Sequence, residues 1–166
     1  MIEVKLVFLK SFQHLDEAMK RRLETRIEMP IPSVEQKKLL IRKILSNFNH
    51  SLNDQDFEKL AQSMKRFSHH DVMQLEKELH QKRWKILQSA EYFIKATEGT
   101  AEPKYEVCSK NHQDAIPMTF HDIKYSDLIP MRVEKSQVEQ IVVMLKSSVS
   151  QDCIDMITAW KNGRMR

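Results

Sequence analysis

Apolar positions alternate at the start of the chain and fall into helical spacing over most of its remaining length. Ile2, Val4, Leu6 and Phe8 alternate with Glu3, Lys5, Val7 and Leu9, the pattern of a strand that enters a sheet over its second half. Residues 16–23 read as a short helix. Asp16 can cap it, Met19 and Leu23 share a face, and Lys20, Arg21 and Arg22 crowd its last turn. A strand at 26–31 comes directly after it and is stopped by Pro30 and Pro32. Ser33 then caps a helix with Val34, Leu39, Leu40, Ile41, Ile44 and Leu45 on one side and Lys37, Lys38, Arg42 and Lys43 on the other. After a polar turn, Asn53 or Asp54 caps a helix carrying Phe57, Leu60, Ala61 and Met64. A long helix is expected from about His69 to Phe93, with Val72, Leu75, Leu79, Ile86, Ala90 and Phe93 as its stripe and Trp84 and Leu87 widening it.

Beyond a loop at 97–103 the character changes. Short β-capable pieces at 105–108 and 116–120 flank the turn-rich SKNHQDA, and two more helices are expected at 135–147 and 151–160. Val138, Ile141, Val142 and Leu145 mark the first of these, and Ile154, Ile157 and Trp160 the second. The fold class is therefore α+β, mainly α, with a small antiparallel strand insertion between helical parts. An isolated pair of strands is marginal in water, so the strands at 2–9 and 26–31 are expected to end a larger sheet whose front lies elsewhere. Alone, that pair would expose an apolar face and favour poor solubility or oligomerisation.

Composition narrows the chemistry. Only 2 glycines occur in 166 residues, which argues against glycine-rich phosphate loops and favours helices. The net charge of +4 comes from 27 basic residues interspersed with 23 acidic ones, a mixed surface and not a nucleic-acid footprint. Cys108 and Cys153 give no disulfide framework and no zinc spacing, and no metal site is expected; a reducing compartment suits them. No apolar run approaches the ~20 residues of a membrane span.

The stretch LDEAMKRRLETRIEMPIP holds its arginines on a short, rigid mount, which suits a phosphate bound elsewhere. It resembles the second region of homology of AAA+ ATPases, in the group of katanin, spastin and vacuolar protein sorting-associated protein 4. The three helices after it look like that family's helical lid, with FSHHDV at the lid motif. CSKNHQDAIPMTFHDI is similar to a stretch of the protein-sorting member that katanin and spastin lack, and the likeness continues through Leu128, Ile129, Val133, Lys146 and Val149 to Trp160. The resemblance divides the chain into the end of an AAA+ large domain (1–32), a helical lid (33–95), a small β insertion (96–130) and C-terminal helices (131–166).

This resemblance implies the C-terminal part of an oligomeric ATPase that disassembles ESCRT-III in endosomal sorting and membrane scission, cytoplasmic and peripheral to endosomal membranes. Arg21 and Arg22 would be arginine fingers acting on a neighbouring subunit's ATP. Phe67, Ser68 and Asp71 would form a degenerate nucleotide-facing lid motif, and Met118, Phe120 and Asp122 the contact for an activator protein. ATP and Mg²⁺ would bind only in a complete ATPase. Partners would be AAA+ subunits, the activator and ESCRT-III, with no nucleic acid and only indirect membrane contact. Neither a G-x-x-x-x-G-K-[ST] loop nor a Walker B acidic pair occurs, so the chain alone is expected not to hydrolyse ATP. Some positions depart from the family: Lys10 replaces a sensor asparagine, Arg66, His69 and His70 replace small or neutral residues, and Arg83–Trp84 stands for Pro-Val. A stand-alone, non-catalytic adaptor for family subunits or their activator is the alternative reading; a microtubule-severing relative is disfavoured by the strand insertion.

Overall fold

The computed structural model describes residues 16–22, 29–96 and 103–162, excepting the side chains of Lys20, Trp160 and Lys161. The expected strand at 2–9 lies outside these residues, as does 26–28. Residues 29–31 form no strand. The chain divides into two compact units, and the larger spans Ile31–Ser148.

In the larger unit three consecutive helices open with reciprocal caps. Helix α2 (Val34–Leu45) is capped by Ser33, whose hydroxyl accepts from the Gln36 N–H while the Gln36 side chain accepts from the Ser33 N–H. Helix α3 (Asp54–Ser63) repeats this with Asn53 and Asp56, and helix α4 (His69–Ser89) with Ser68 and Asp71. Each box satisfies backbone donors that a helix start leaves orphaned. The apolar stripes meet in one cluster: Ile41, Ile44 and Leu45 of α2, Phe57, Leu60 and Ala61 of α3, Val72, Leu75 and Leu79 of α4, and Val138, Ile141 and Val142 of helix α5 (Lys135–Met144). At roughly 1.5–3 kcal/mol for each large buried side chain, this cluster is the main stabilising term of the unit.

Helix α4 stops at Ser89, short of the Phe93 expected from the helical stripe. Ala90 turns extended, with ψ 127, and Tyr92–Ala96 becomes strand β1. The β-favouring run Tyr92-Phe93-Ile94 finds partners on both edges: β2 (Lys104–Val107) and β3 (Ile116–Pro117) pair antiparallel with it in the order β2-β1-β3. Two-sided pairing satisfies backbone groups that a longer helix would have satisfied alone. Phe93 lies opposite Val107 and Ile116 and is fully buried; it and Ile123 are buried apart from the helical cluster. The piece expected to be a strand through Phe120 leaves the sheet at Pro117 and closes into a 3-10 turn, Phe120–Asp122.

The chain returns to the bundle at Val133. It pairs in parallel with His50, and its N–H donates to the Asn49 carbonyl at 2.7 Å while Ser51 donates back to its carbonyl at 3.2 Å. Helix α5 ends at Met144 instead of 147, because the residues after it are held by contacts outside the helix. The second unit contains helices α1 (Glu17–Arg22) and α6 (Gln151–Lys161).

Candidate functional site

Three places carry the expected site residues. On α1, Asp16 Oδ1 accepts from the Met19 N–H at 2.7 Å, and both Arg21 and Arg22 are exposed at the helix's end. Cations there face the negative end of the peptide dipoles, so the position costs them little. The geometry leaves both guanidinium groups available to solvent or to another molecule.

The second place is the turn from α3 into α4. Phe67 is 8% exposed and belongs to the helical cluster. Ser68 and Asp71 bracket the helix start: the Asp71 carboxylate accepts from the Ser68 N–H at 2.8 Å, and the Ser68 hydroxyl accepts from the Asp71 N–H at 3.2 Å. Asp71 also accepts from the N–H and the hydroxyl of Ser148, at 3.1 and 3.0 Å. Burial pushes its carboxyl up, yet the donors of Ser68 and Ser148 outweigh that and hold it below the usual carboxylate value. The carbonyls of the turn are satisfied from elsewhere: Lys37 Nζ donates to the Lys65 carbonyl at 2.9 Å and the Ser147 hydroxyl to that of Arg66 at 2.7 Å. Arg66, His69 and His70 remain exposed on this face.

Those exposed groups suit an anionic or ring-edge partner. The Ser68 hydroxyl and Asp71 carboxylate are engaged within the protein and brace this turn from behind. Among the described residues no group of three His, Cys, Asp or Glu could hold a metal ion.

The third place is the outgoing turn of the sheet. Met118 N–H donates to the Glu91 carbonyl at 3.1 Å, continuing the β1–β3 edge. Phe120 meets Trp84 of α4 edge-on, ring centroids 5.5 Å apart, and its ring lies 3.9 Å from that of His121. Asp122 accepts from the N–H and the hydroxyl of Thr119, both at 2.8 Å, and these hold its carboxyl below the usual value. Met118, Phe120 and Asp122 thus fall on one short, braced segment. Trp84 is 47% exposed, so it forms part of this surface and is not the enclosed anchor its stripe suggests.

Sequence spacing does not reveal three contributors. Lys37, expected on the solvent face of α2, is 3% exposed. Its basic neighbours are paired, Lys38 with Glu58 at 2.8 Å and Arg42 with Asp54 at 2.6 Å, which breaks up the basic face. Ser147 and Ser148 carry no motif; their partners lie about eighty positions back in the chain.

Residues 105–163 match the family model described as Vps4 C terminal oligomerisation domain. The chain is 29% identical over 146 residues to Protein SUPPRESSOR OF K(+) TRANSPORT GROWTH DEFECT 1 of Arabidopsis thaliana, covering 86% of this chain and 33% of that one. It is 26% identical over 144 residues to Vacuolar protein sorting-associated protein 4B of Pongo abelii, covering 82% and 32%. The chain therefore spans about a third of the length of the curated relatives it matches. Among solved structures, the FIGL-1 AAA domain in complex with ADP shares its fold with a TM-score of 0.60 at 17% identity, over 92% of this chain and 41% of that one. A chain of the crystal structure of Vps4 and Vta1 matches with a TM-score of 0.50 at 16% identity, over 69% and 99%.

Proposed function

We propose that this chain, whose residues correspond to the C-terminal portion of a Vps4-type AAA+ ATPase, supplies the nucleotide lid and subunit contacts of an oligomer that disassembles ESCRT-III in endosomal sorting. The observation that carries this reading is the oligomerisation-domain match, which begins within β2 and runs through β3, α5 and α6. In the assembled enzyme Arg21 and Arg22 act on the ATP of the neighbouring subunit. Their exposure on α1 supports that role, and a correctly placed finger is worth ~10³–10⁵ in rate. The α3–α4 turn forms the lid wall over the nucleotide, with Arg66, His69 and His70 facing the ligand and Phe67, Ser68 and Asp71 holding the wall from behind. ATP and Mg²⁺ are bound in the context of the complete ATPase. The segment with Met118, Phe120 and Asp122 receives an activator protein of the Vta1 kind. The site of action is the cytoplasmic side of endosomes, with ESCRT-III between this protein and the lipid.

The test is to mix the purified chain with intact Vps4-type subunits and ATP, and to measure oligomer mass and ATP hydrolysis. Incorporation into the oligomer, and binding to the activator that Phe120→Ala weakens, are the expected results. A chain that joins neither subunits nor activator at tens of micromolar would remove the proposal. In the intact enzyme, Arg21→Ala with Arg22→Ala should lower turnover while leaving assembly in place.

A further inference from the structure

The Asp71 carboxylate does more than a helix cap requires. One oxygen, Oδ2, accepts from the Ser68 N–H at 2.8 Å, the Ser148 N–H at 3.1 Å and the Ser148 hydroxyl at 3.0 Å. A capping box needs only the first of these. The others reach 77 positions along the chain, to the segment between α5 and α6. Three donors share one oxygen in a side chain that is only 5% exposed, so movement of one donor redistributes the hydrogen bonding of the rest. The neighbouring tie repeats the pairing of segments: the Ser147 hydroxyl donates to the Arg66 carbonyl, two residues before the cap. Ser148 is also the last residue of the larger unit. The place where the chain leaves the helical bundle is thus fastened to the first turn of α4.

We propose that Asp71 is a latch that couples the start of α4 to the α5–α6 connector, so that a displacement at Ser68 is passed to Ser148. Asp71 and Ser68 are positioning residues in this arrangement, not ligand contacts. The functional use rests on the lid reading: a ligand drawn to Arg66, His69 or His70 pulls on the same turn that fixes the connector. The latch itself does not depend on that reading.

The experiment is hydrogen–deuterium exchange on the full chain without nucleotide or other subunits. Ser147→Ala combined with Ser148→Ala should speed exchange across 145–150 about tenfold, since a hydrogen bond to a charged carboxylate is lost together with the tie to Arg66. The middles of α2, α3 and α4 should exchange as before. Ser148→Thr, which keeps the hydroxyl and the N–H, should restore slow exchange beside Ser147→Ala. Asp71→Ala, which removes the shared oxygen and keeps both serines, should also speed exchange at 147–149. A connector indifferent to Asp71→Ala would reduce Asp71 to a static cap and overturn the proposal, as would a rise spread evenly over all helices. Failure of the chain to join ATPase subunits would count against the lid reading and leave these exchange results standing.

Discussion

Lys37 offers a test of what holds the α3–α4 turn in place. Its side chain is 3% exposed, and Nζ donates to the Lys65 carbonyl at 2.9 Å, linking α2 to a turn 28 positions away. Burial lowers its pKa. Two substitutions separate stem from charge. Lys37→Ala removes the γ, δ and ε carbons, worth about 2 kcal/mol at ~0.8 kcal/mol per buried methylene, and orphans the carbonyl as well, for a total near 3 kcal/mol. Lys37→Met keeps an apolar stem of similar length. It loses the hydrogen bond, roughly 1.5–3 kcal/mol for a charged donor, and recovers most of that by no longer desolvating an ammonium, so the net cost should stay within about 1 kcal/mol. For a unit of this size about 4 °C of Tm accompanies each kcal/mol, so thermal unfolding should place the alanine variant well below both the methionine variant and the parent. The pH dependence has a definite sign. A lysine whose folded pKa is depressed binds fewer protons folded than unfolded, so stability rises as pH climbs from the folded value toward the ordinary lysine value. Lys37→Met should abolish that alkaline gain. If methionine proves as damaging as alanine, the charge and its hydrogen bond dominate over the stem and the reasoning is refuted.

Phe93→Ala should cost about 3–5 kcal/mol, because the ring is fully buried on a strand paired along both edges, and denaturant titration should show the sheet's near-ultraviolet signal lost early. Asp56 is held below the usual carboxylate value first by the Asn53 N–H and then by Lys135, 2.7 Å away, so its contribution is present above the unfolded carboxylate pKa and lost as pH falls through the folded one. Lys135→Met should therefore raise the midpoint of acid unfolding; an unmoved midpoint would show the ion pair to be idle. Trp84→Ala should blunt activator binding to about the same degree as Phe120→Ala, since each ring braces the other, with about 0.5–1.5 kcal/mol at stake in the pair itself. Full binding by both variants, measured calorimetrically, would remove the proposal that an activator docks on this segment.

Local grammar makes much of this fold readable. Ser33 with Gln36, Asn53 with Asp56, and Ser68 with Asp71 announce their helices because a capping box needs only side chains three residues apart. The paired expectation at 105–108 and 116 onward also finds its strands, since turn-rich SKNHQDA separates two β-favouring pieces. The hidden features depend on partners far along the chain. Phe93 continues the helical stripe of α4 at an acceptable interval, and only the edges offered by β2 and β3 convert it to a strand residue. Lys37 looks like any cation on a solvated face until the Lys65 carbonyl of the α3–α4 turn is brought to its ammonium. At the candidate site, Arg21, Arg22 and the Phe67–Asp71 stretch are singled out by resemblance of motif alone, whereas Ser147 and Ser148 have no local signature at all.

The closure of Val133 against His50 sets an order of events during folding. Helices α2, α3 and α4 are neighbours in sequence and can associate through short loops, but their shared apolar face is completed by Val138, Ile141 and Val142, which arrive only after the whole sheet has been laid out. The bond that seats α5, from its first N–H to the Ser51 hydroxyl, spans 84 positions. On the ribosome the early helices must therefore wait with the apolar faces that α3 and α4 offer to α5 partly uncovered, and that interval is the one in which a chaperone, or another copy of the same nascent chain, competes with α5 for the seat.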